Sequence, residues 1–383
     1  MVRRRSFLLA VGTVALAQIL TGCNSDEAAF RVLLLDNSIP SQLIGDFRSS
    51  ISSKSIFTLE SQLKTLLKLL QTWQAKDLSK PNKNSGLPFI NKKPAPVPDL
   101  VTLGDSWLAT AIEQKLISPL EGDLKWQQLP PRWQEIVRRD EQGMVSQQGK
   151  IWGAPYRWGT TMIAYRKDNL KKLGWEPKDW GDLWREDVRN RISLLDQPRE
   201  VIGLTLKKLG YSYNSDNINQ IPNLKSDLVA LNKQAKFYSS DHYLEPLILG
   251  DTWLAVGWSH EIIPLLKNYR DIAAVVPQSG TALWADIWVK PAAVIKPSKF
   301  VQDWINFCWQ SKSAKEISLF TDAVSPVILE LAPENLPQAI RDNPLLLIDK
   351  NILEKSDFIK PLPASVEKQY ENLWREIRVA ISD

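Results

Sequence analysis

Two cysteines, two histidines and three methionines in 383 residues leave little from which to build a disulfide frame or a metal centre. The cysteines allow one disulfide at most. His242 and His260 stand in Asp241-His242-Tyr243 and Ser259-His260-Glu261, spacings that match no common zinc motif. Also lacking are a Gly-x-Ser-x-Gly elbow, a Walker loop and a Gly-x-Gly-x-x-Gly turn after a strand. With them go the usual signatures of a serine hydrolase, a nucleotidase and a dinucleotide enzyme. A hydrolase or lyase working through Glu200 or Asp286 stays open, although no second catalytic partner stands out beside either. No internal repeat marks a solenoid.

An excess of one charge is lacking as well. Lysine and arginine number 48 against 43 acids, and without Arg3, Arg4 and Arg5 at the start the balance falls to 45 against 43. Past the leader, basic residues adjoin only in pairs such as Lys92-Lys93 and no larger cluster stands out, so no nucleic-acid face is expected.

What is present begins with the leader. Three arginines precede an apolar run of about 14 residues ending at Leu20, too short to span a bilayer comfortably, and small residues then precede Cys23. Arg4-Arg5-Ser6-Phe7-Leu8 resembles a twin-arginine export signal, and Leu20-Thr21-Gly22-Cys23 resembles a bacterial lipobox. The expected processing removes residues 1–22, lipidates Cys23 and leaves 23–29 as a linker. The mature chain would be tethered on the periplasmic side of a bacterial membrane. Only Cys308 then remains as a thiol, and the helical spacing Val301, Trp304, Ile305, Cys308 predicts that it is buried.

At 44% hydrophobic the rest of the chain is long enough for two cores, hence two lobes. Phe30–Leu35 and Leu100–Leu103 read as buried strands, and 61–73 as an amphipathic helix through Leu63, Leu66, Leu67, Leu70 and Trp73. The proline-rich stretch 77–98 reads as a surface loop. After Gly104, Asp105 or Ser106 is placed to cap a helix carrying Leu108, Ile112 and Leu116. The segment 151–165 suits a strand passing between lobes. Helices are expected over 201–209, 222–236, 300–309 and 366–377, and extended segments over 272–276 and 284–294. Strands alternating with helices predict α/β layers with binding beyond strand ends.

Sixteen tryptophans are mostly core material, since each buries a large apolar area. Those beside acids in loop contexts are of another kind: Trp107 after Asp105, Trp258 after Gly257, and Trp284 with Asp286. A ring beside an acid can hold a cation, the face contacting the charge or its methylenes and the carboxylate accepting its hydrogen bonds.

Six blocks then occur in order: Asp99-Leu100-Val101 before Trp107-Leu108; Ala154-Pro155-Tyr156-Arg157-Trp158-Gly159-Thr160-Thr161; Trp180-Gly181-Asp182-Leu183-Trp184; Ile192-Ser193-Leu194-Leu195-Asp196; Gly250-Asp251 before Gly257-Trp258-Ser259; and Leu283-Trp284-Ala285-Asp286. In these the chain resembles the bacterial solute-binding proteins of the spermidine/putrescine type, from about residue 30 to its end. The resemblance implies a two-lobed α/β periplasmic-binding-protein fold of type II, with hinge crossovers and a ligand cleft between lobes. It implies lobe 1 over 30–156 plus 284–322 and lobe 2 over 157–283 plus 323–383. It also implies a monomer that uses no cofactor or metal, performs no catalysis and delivers a small cationic solute, by default a polyamine, to an ABC permease.

Trp258, Trp284, Asp286 and Glu200 match positions of ring and carboxylate contact in that family, and Asp36, Asp105, Trp107 and Trp158 complete the expected ligand-binding set. Four positions depart from the family pattern: Leu35 and Ser38 in the first loop, Gln197 where an acid is usual, and Ala323 where an aromatic is usual. Those departures keep a second reading open, a binding or sensing protein on the same fold that no longer serves transport. Taken singly, Asp286 also reads as a turn or cap acid and Glu200 as a charge favoured by a helix N-terminus.

Overall fold

A computed structural model describes residues 29–75 and 96–379. The leader, Cys23 and most of the proline-rich loop lie outside the described residues. Strands follow the chain as β1 (Phe30–Leu35), β2 (Ser55–Glu60), β3 (Leu100–Gly104), β4 (Ile117–Ser118), β5 (Arg138–Arg139), β6 (Lys150–Ile151), β7 (Ala154–Arg166), β8 (Ile192–Leu194), β9 (Ala235–Tyr238), β10 (Leu254–Trp258), β11 (Ile272–Val275), β12 (Ala282–Pro291) and β13 (Asp357–Phe358). The sheet runs β2-β1-β3-β12-β7-β10-β8-β9, with β11 also on β7 and with β13 and β4 on β12.

Two half-sheets share the long strand β7. Residues 154–160 of it pair antiparallel with β12, whereas Thr161–Arg166 pair with β10 and β11. On one side β1, flanked by β2 and β3, forms a parallel set, and on the other β8 lies parallel between β10 and β9. Parallel strands need crossovers. Those after β1 and β2 are the helices Ser41–Ser50 and Leu63–Ala75, and that between β8 and β9 runs through Pro198–Lys208 and Leu224–Gln234.

Each half has its own apolar cluster. Leu34, Leu66, Leu103, Trp288 and Trp304 lie in the first, which continues onto one face of the second half-sheet through Met162, Ala255 and Ile262. Ile192, Val201, Leu204, Leu231 and Tyr213 lie in the second. Val324, Ile328, Ile340, Ile348 and Phe358 pack in the first cluster, while Val366, Tyr370 and Ile377 of the last helix pack in the second. The segment from Val324 to Phe358, expected with lobe 2, thus packs in the cluster that reaches both half-sheets, and the last helix packs in the other. Between them β13 pairs its Asp357 and Phe358 with Ala282 and Leu283 at the start of β12.

Other departures are local. β2 is an edge strand absent from the sequence reading; its side chains are all partly exposed, so burial does not mark it. Pro222 lies before the helix rather than in its first turn, because Asn223 takes a left-handed turn at φ +63° and the helix starts at Leu224. Asp105 and Ser106 make no cap; the Asp105 carboxylate turns away to another strand. Cys308 is a buried free thiol, as its spacing predicts.

Candidate functional site

Side chains alternate along a strand, so Arg157, Gly159 and Thr161 share one face of β7 and Trp158 and Thr160 share the other. Register carries that face sideways: Gly159 is opposite Trp284, Arg157 opposite Asp286, and Thr161 opposite Trp258. One face of three adjacent strands thus gathers two rings and an acid from distant points in the chain. Gly159 is required by space here, since a Cβ would run into the Trp284 ring and Ser259 Oγ.

Glu200 joins from the first turn of helix Pro198–Lys208. Its carboxylate accepts hydrogen bonds from Thr161 Oγ1 at 3.0 and 3.1 Å and from Trp258 Nε1 at 3.0 Å. Both donors are neutral. Burial pushes Glu200 up to about 7, opposed by those hydrogen bonds and by the more distant charge of Arg199.

At the other end, Arg157 Nε donates to Asp286 Oδ2 at 2.6 Å, and Arg157 Nη1 donates to the Thr321 carbonyl at 3.3 Å. Both side chains of this pair are buried. Burial lifts the Asp286 carboxyl above its ordinary value, with Arg157 pulling it back; burial also works against the Arg157 charge, but Asp286 and Tyr156 together more than offset it. The guanidinium also stands 5.9 Å from the centre of the Trp284 ring.

His260, the second residue of the helix after β10, stands between the two tryptophans. Its ring is near-parallel to Trp258 at 6.4 Å and edge-on to Trp284 at 4.7 Å. Burial, helped by the charge of Arg157, lowers it to about 3, so it is a neutral imidazole. Beside it the Tyr243 hydroxyl donates to Glu261 and accepts from the Trp258 backbone N–H at 3.2 Å.

Of the expected residues, Trp258, Trp284, Asp286 and Glu200 lie on this face or against it. Asp105 is next to it: its Oδ1 accepts from the Ala285 N–H at 2.9 Å, and burial lifts it to about 7. Trp107 is half-buried against the first cluster and Asp36 is exposed at the end of β1. Trp158 lies on the opposite face, buried with its ring edge-on to Trp133 at 5.1 Å. Ala323 is buried beside it, next to the Val324 backbone that pairs with Trp158.

Arg157, Thr161, His260, Tyr243 and Glu261 are missing from the expected set. Arg157 carried a readable signal: an arginine inside an apolar strand must find an acid, because an unpaired buried charge is too costly to keep. Glu261 and Tyr243 had none, as 18 residues, with a short helix and the strand β10 among them, separate the two.

Comparisons with known proteins point to one family and one fold. Residues 95–356 match the family model described as bacterial extracellular solute-binding protein. The chain is 25% identical to spermidine/putrescine-binding periplasmic protein 1 of Haemophilus influenzae over 232 residues, 61% of this chain and 63% of that one. It is 24% identical to the putrescine/cadaverine-binding protein of Pseudomonas aeruginosa, over 60% of this chain and 67% of the relative. The match to a Salmonella typhimurium spermidine/putrescine-binding periplasmic protein is 29% identical and covers 44% of this chain and 47% of the relative. These matches thus span from about half to two thirds of the relatives' lengths. A spermidine/putrescine transporter substrate-binding protein of Streptococcus pneumoniae superposes with a TM-score of 0.74 at 20% identity, covering 92% of this chain and 98% of that one. A periplasmic thiamin-binding protein does so at 0.55 and 16%, covering 95% and 100%. At such identities the likeness shows the fold, two α/β lobes, and leaves the ligand to the side chains.

Proposed function

This chain belongs to the bacterial extracellular solute-binding protein family, and we propose that it is the receptor of an ABC-type importer for a small cationic solute of the polyamine class. In this reading it is a monomer, lipid-anchored through Cys23 on the periplasmic side of the membrane. It performs no catalysis, and it passes its ligand to a permease. The lobes are residues 30–160 with 283–358 and residues 161–282 with 359–379, hinged within β7, at Thr281–Leu283 and after Phe358. Thr281 Oγ1 donates to the Thr161 carbonyl at 2.5 Å, a tie between the first two crossovers. Short strand crossovers of this kind let two rigid halves close on a ligand.

The observation that supports a cationic ligand best is Glu200: a buried carboxylate at the junction of the two half-sheets, held by neutral donors, beside the ring of Trp258. A carboxylate kept out of water gains from a cation that arrives with its own charge. The names of the relatives support the same class.

A thermal-shift panel of putrescine, cadaverine, spermidine, amino acids, sugars and anions tests the reading. A ligand at about 100 times its Kd adds roughly 2.7 kcal/mol of stability. Stabilisation by amines and not by sugars or anions is the expected result; stabilisation by a sugar or an anion alone refutes it. The anchor is tested separately, by whether Cys23→Ala releases the chain from membranes.

A further inference from the structure

Of the acids at this face, Asp105 accepts from the Ala285 N–H and Glu261 from the Tyr243 hydroxyl, which leaves Asp286 and Glu200, and Asp286 is already taken. Asp286 is bound by Arg157 at 2.6 Å with side-chain exposures of 4% for the arginine and 2% for the aspartate. The same guanidinium stands 5.9 Å from the centre of the Trp284 ring and donates to the Thr321 carbonyl. A ring face with a carboxylate is the arrangement by which such a cleft would take an ammonium group. Arg157 fills it from within the protein. A tethered guanidinium with its hydrogen bonds already made has no translational freedom left to lose, whereas a competing ammonium must shed its water and be fixed in place.

Glu200 is different. Thr161, its hydroxyl donor, lies on the same face of β7 as Arg157 but four residues on, about 13 Å away at 3.3 Å per residue. No ion pair compensates Glu200 among the described residues. Between the two ends stands His260, a neutral imidazole whose Nδ1 is buried without a partner. The end at Glu200 therefore asks for a cation, while the acids nearby are engaged within the protein, Asp286 by Arg157 and Glu261 by the Tyr243 hydroxyl, and His260 offers a neutral hydrogen-bonding group.

We propose that Arg157 is a built-in occupant of one of two cationic subsites, so that this chain selects a solute with a single ammonium group and a neutral polar far end over a diamine or polyamine. The inference rests on the cationic-solute reading above and narrows it.

Matched pairs of equal chain length test it: putrescine against 4-amino-1-butanol, and cadaverine against 5-amino-1-pentanol, titrated calorimetrically into the full-length protein at pH 8. The amino alcohol should bind within threefold of the diamine or more tightly. A diamine preference beyond threefold overturns the proposal and leaves the receptor reading standing; binding of no amine removes the receptor reading, and the proposal with it. Arg157→Leu should free Asp286 and move the preference towards the diamine by tenfold or more, and an unmoved preference also overturns the proposal. Should that variant not fold, Arg157→Lys keeps the charge in place and should retain the wild-type preference, while a shift towards the diamine would count against the role of Arg157.

Discussion

The indole of Trp284 lies against the backbone of Gly159 so closely that a Cβ at 159 would fall 2.8 Å from its Cε2. That contact sets the floor of the cleft, because Arg157 and Thr161 flank the glycine on the same face of β7. Gly159→Ala must displace the ring or bend the strand. Overpacking of this kind costs about 1–3 kcal/mol, to be read by chemical denaturation. Ligand affinity should fall with it, and an alanine variant of unchanged stability and affinity would show that the ring moves freely.

Glu200→Gln removes the charge of the buried carboxylate held by Thr161 and Trp258 while preserving its shape. Loss of one partner from a desolvated charge pair costs about 2–5 kcal/mol of binding, so the Kd for an amine ligand should rise at least tenfold. Titration of the purified variant checks it. An unchanged Kd would place the ammonium elsewhere.

Asp286→Asn should act mainly on stability. It leaves the Arg157 guanidinium buried and uncompensated, a change that costs about 3–5 kcal/mol. A lowered apo melting temperature is therefore expected. A stable variant that simply lost ligand affinity would mean that Asp286 serves the ligand and not Arg157.

Acidity should reveal Glu200 directly. Its folded value of about 7 lies above its ordinary 4.5, so between those values the folded state holds a proton that the unfolded chain has lost. Its contribution to stability is full below about 4.5 and is lost as pH rises through 7. His260, lowered to about 3 from 6.5, acts the opposite way: its contribution is present above 6.5 and is lost as pH falls through 3. The wild-type profile is thus a composite, with Asp105 also raised to about 7. The difference between wild type and Glu200→Gln isolates the carboxylate: the variant should gain relative stability as pH rises from 5 to 8. A cation bound to Glu200 should also expel its proton, so amine affinity should rise up to about pH 7 and level off. Calorimetry in buffers of different ionisation heat measures that release; no proton release at pH 6 would refute it.

Two neighbouring-sounding tryptophans should separate cleanly. Trp158→Ala opens the first apolar cluster and should cost about 3–5 kcal/mol of stability. Trp258→Ala removes a half-buried ring and the Nε1 donor to Glu200, so its larger effect should be on binding. Reversed effects would mean that the strand face has been misassigned.

What the sequence determined by itself is the set of elements and their chemistry. Phe30–Leu35 is a strand because five of its six residues are apolar in a run too short for a helix and closed by turn residues, and Phe300–Cys308 is a helix because its apolar residues recur at helical spacing. The six blocks that led to the family are local strings, legible without a fold. Trp258, Trp284 and Asp286 stood out as candidates within those strings, and Glu200 by its place in the family pattern.

Only the tertiary structure decided what those groups do. The partner of Asp286 lies 129 residues away and the partner of Trp258 lies 58 away, and no local spacing encodes either. Strand register put Arg157 opposite Asp286 and turned Trp158 to the far side, since a shift of one residue along β7 exchanges every side chain between the two faces. The two-residue strand Asp357–Phe358 was likewise hidden, because its pairing with β12 rests on backbone hydrogen bonds that leave almost no mark on composition.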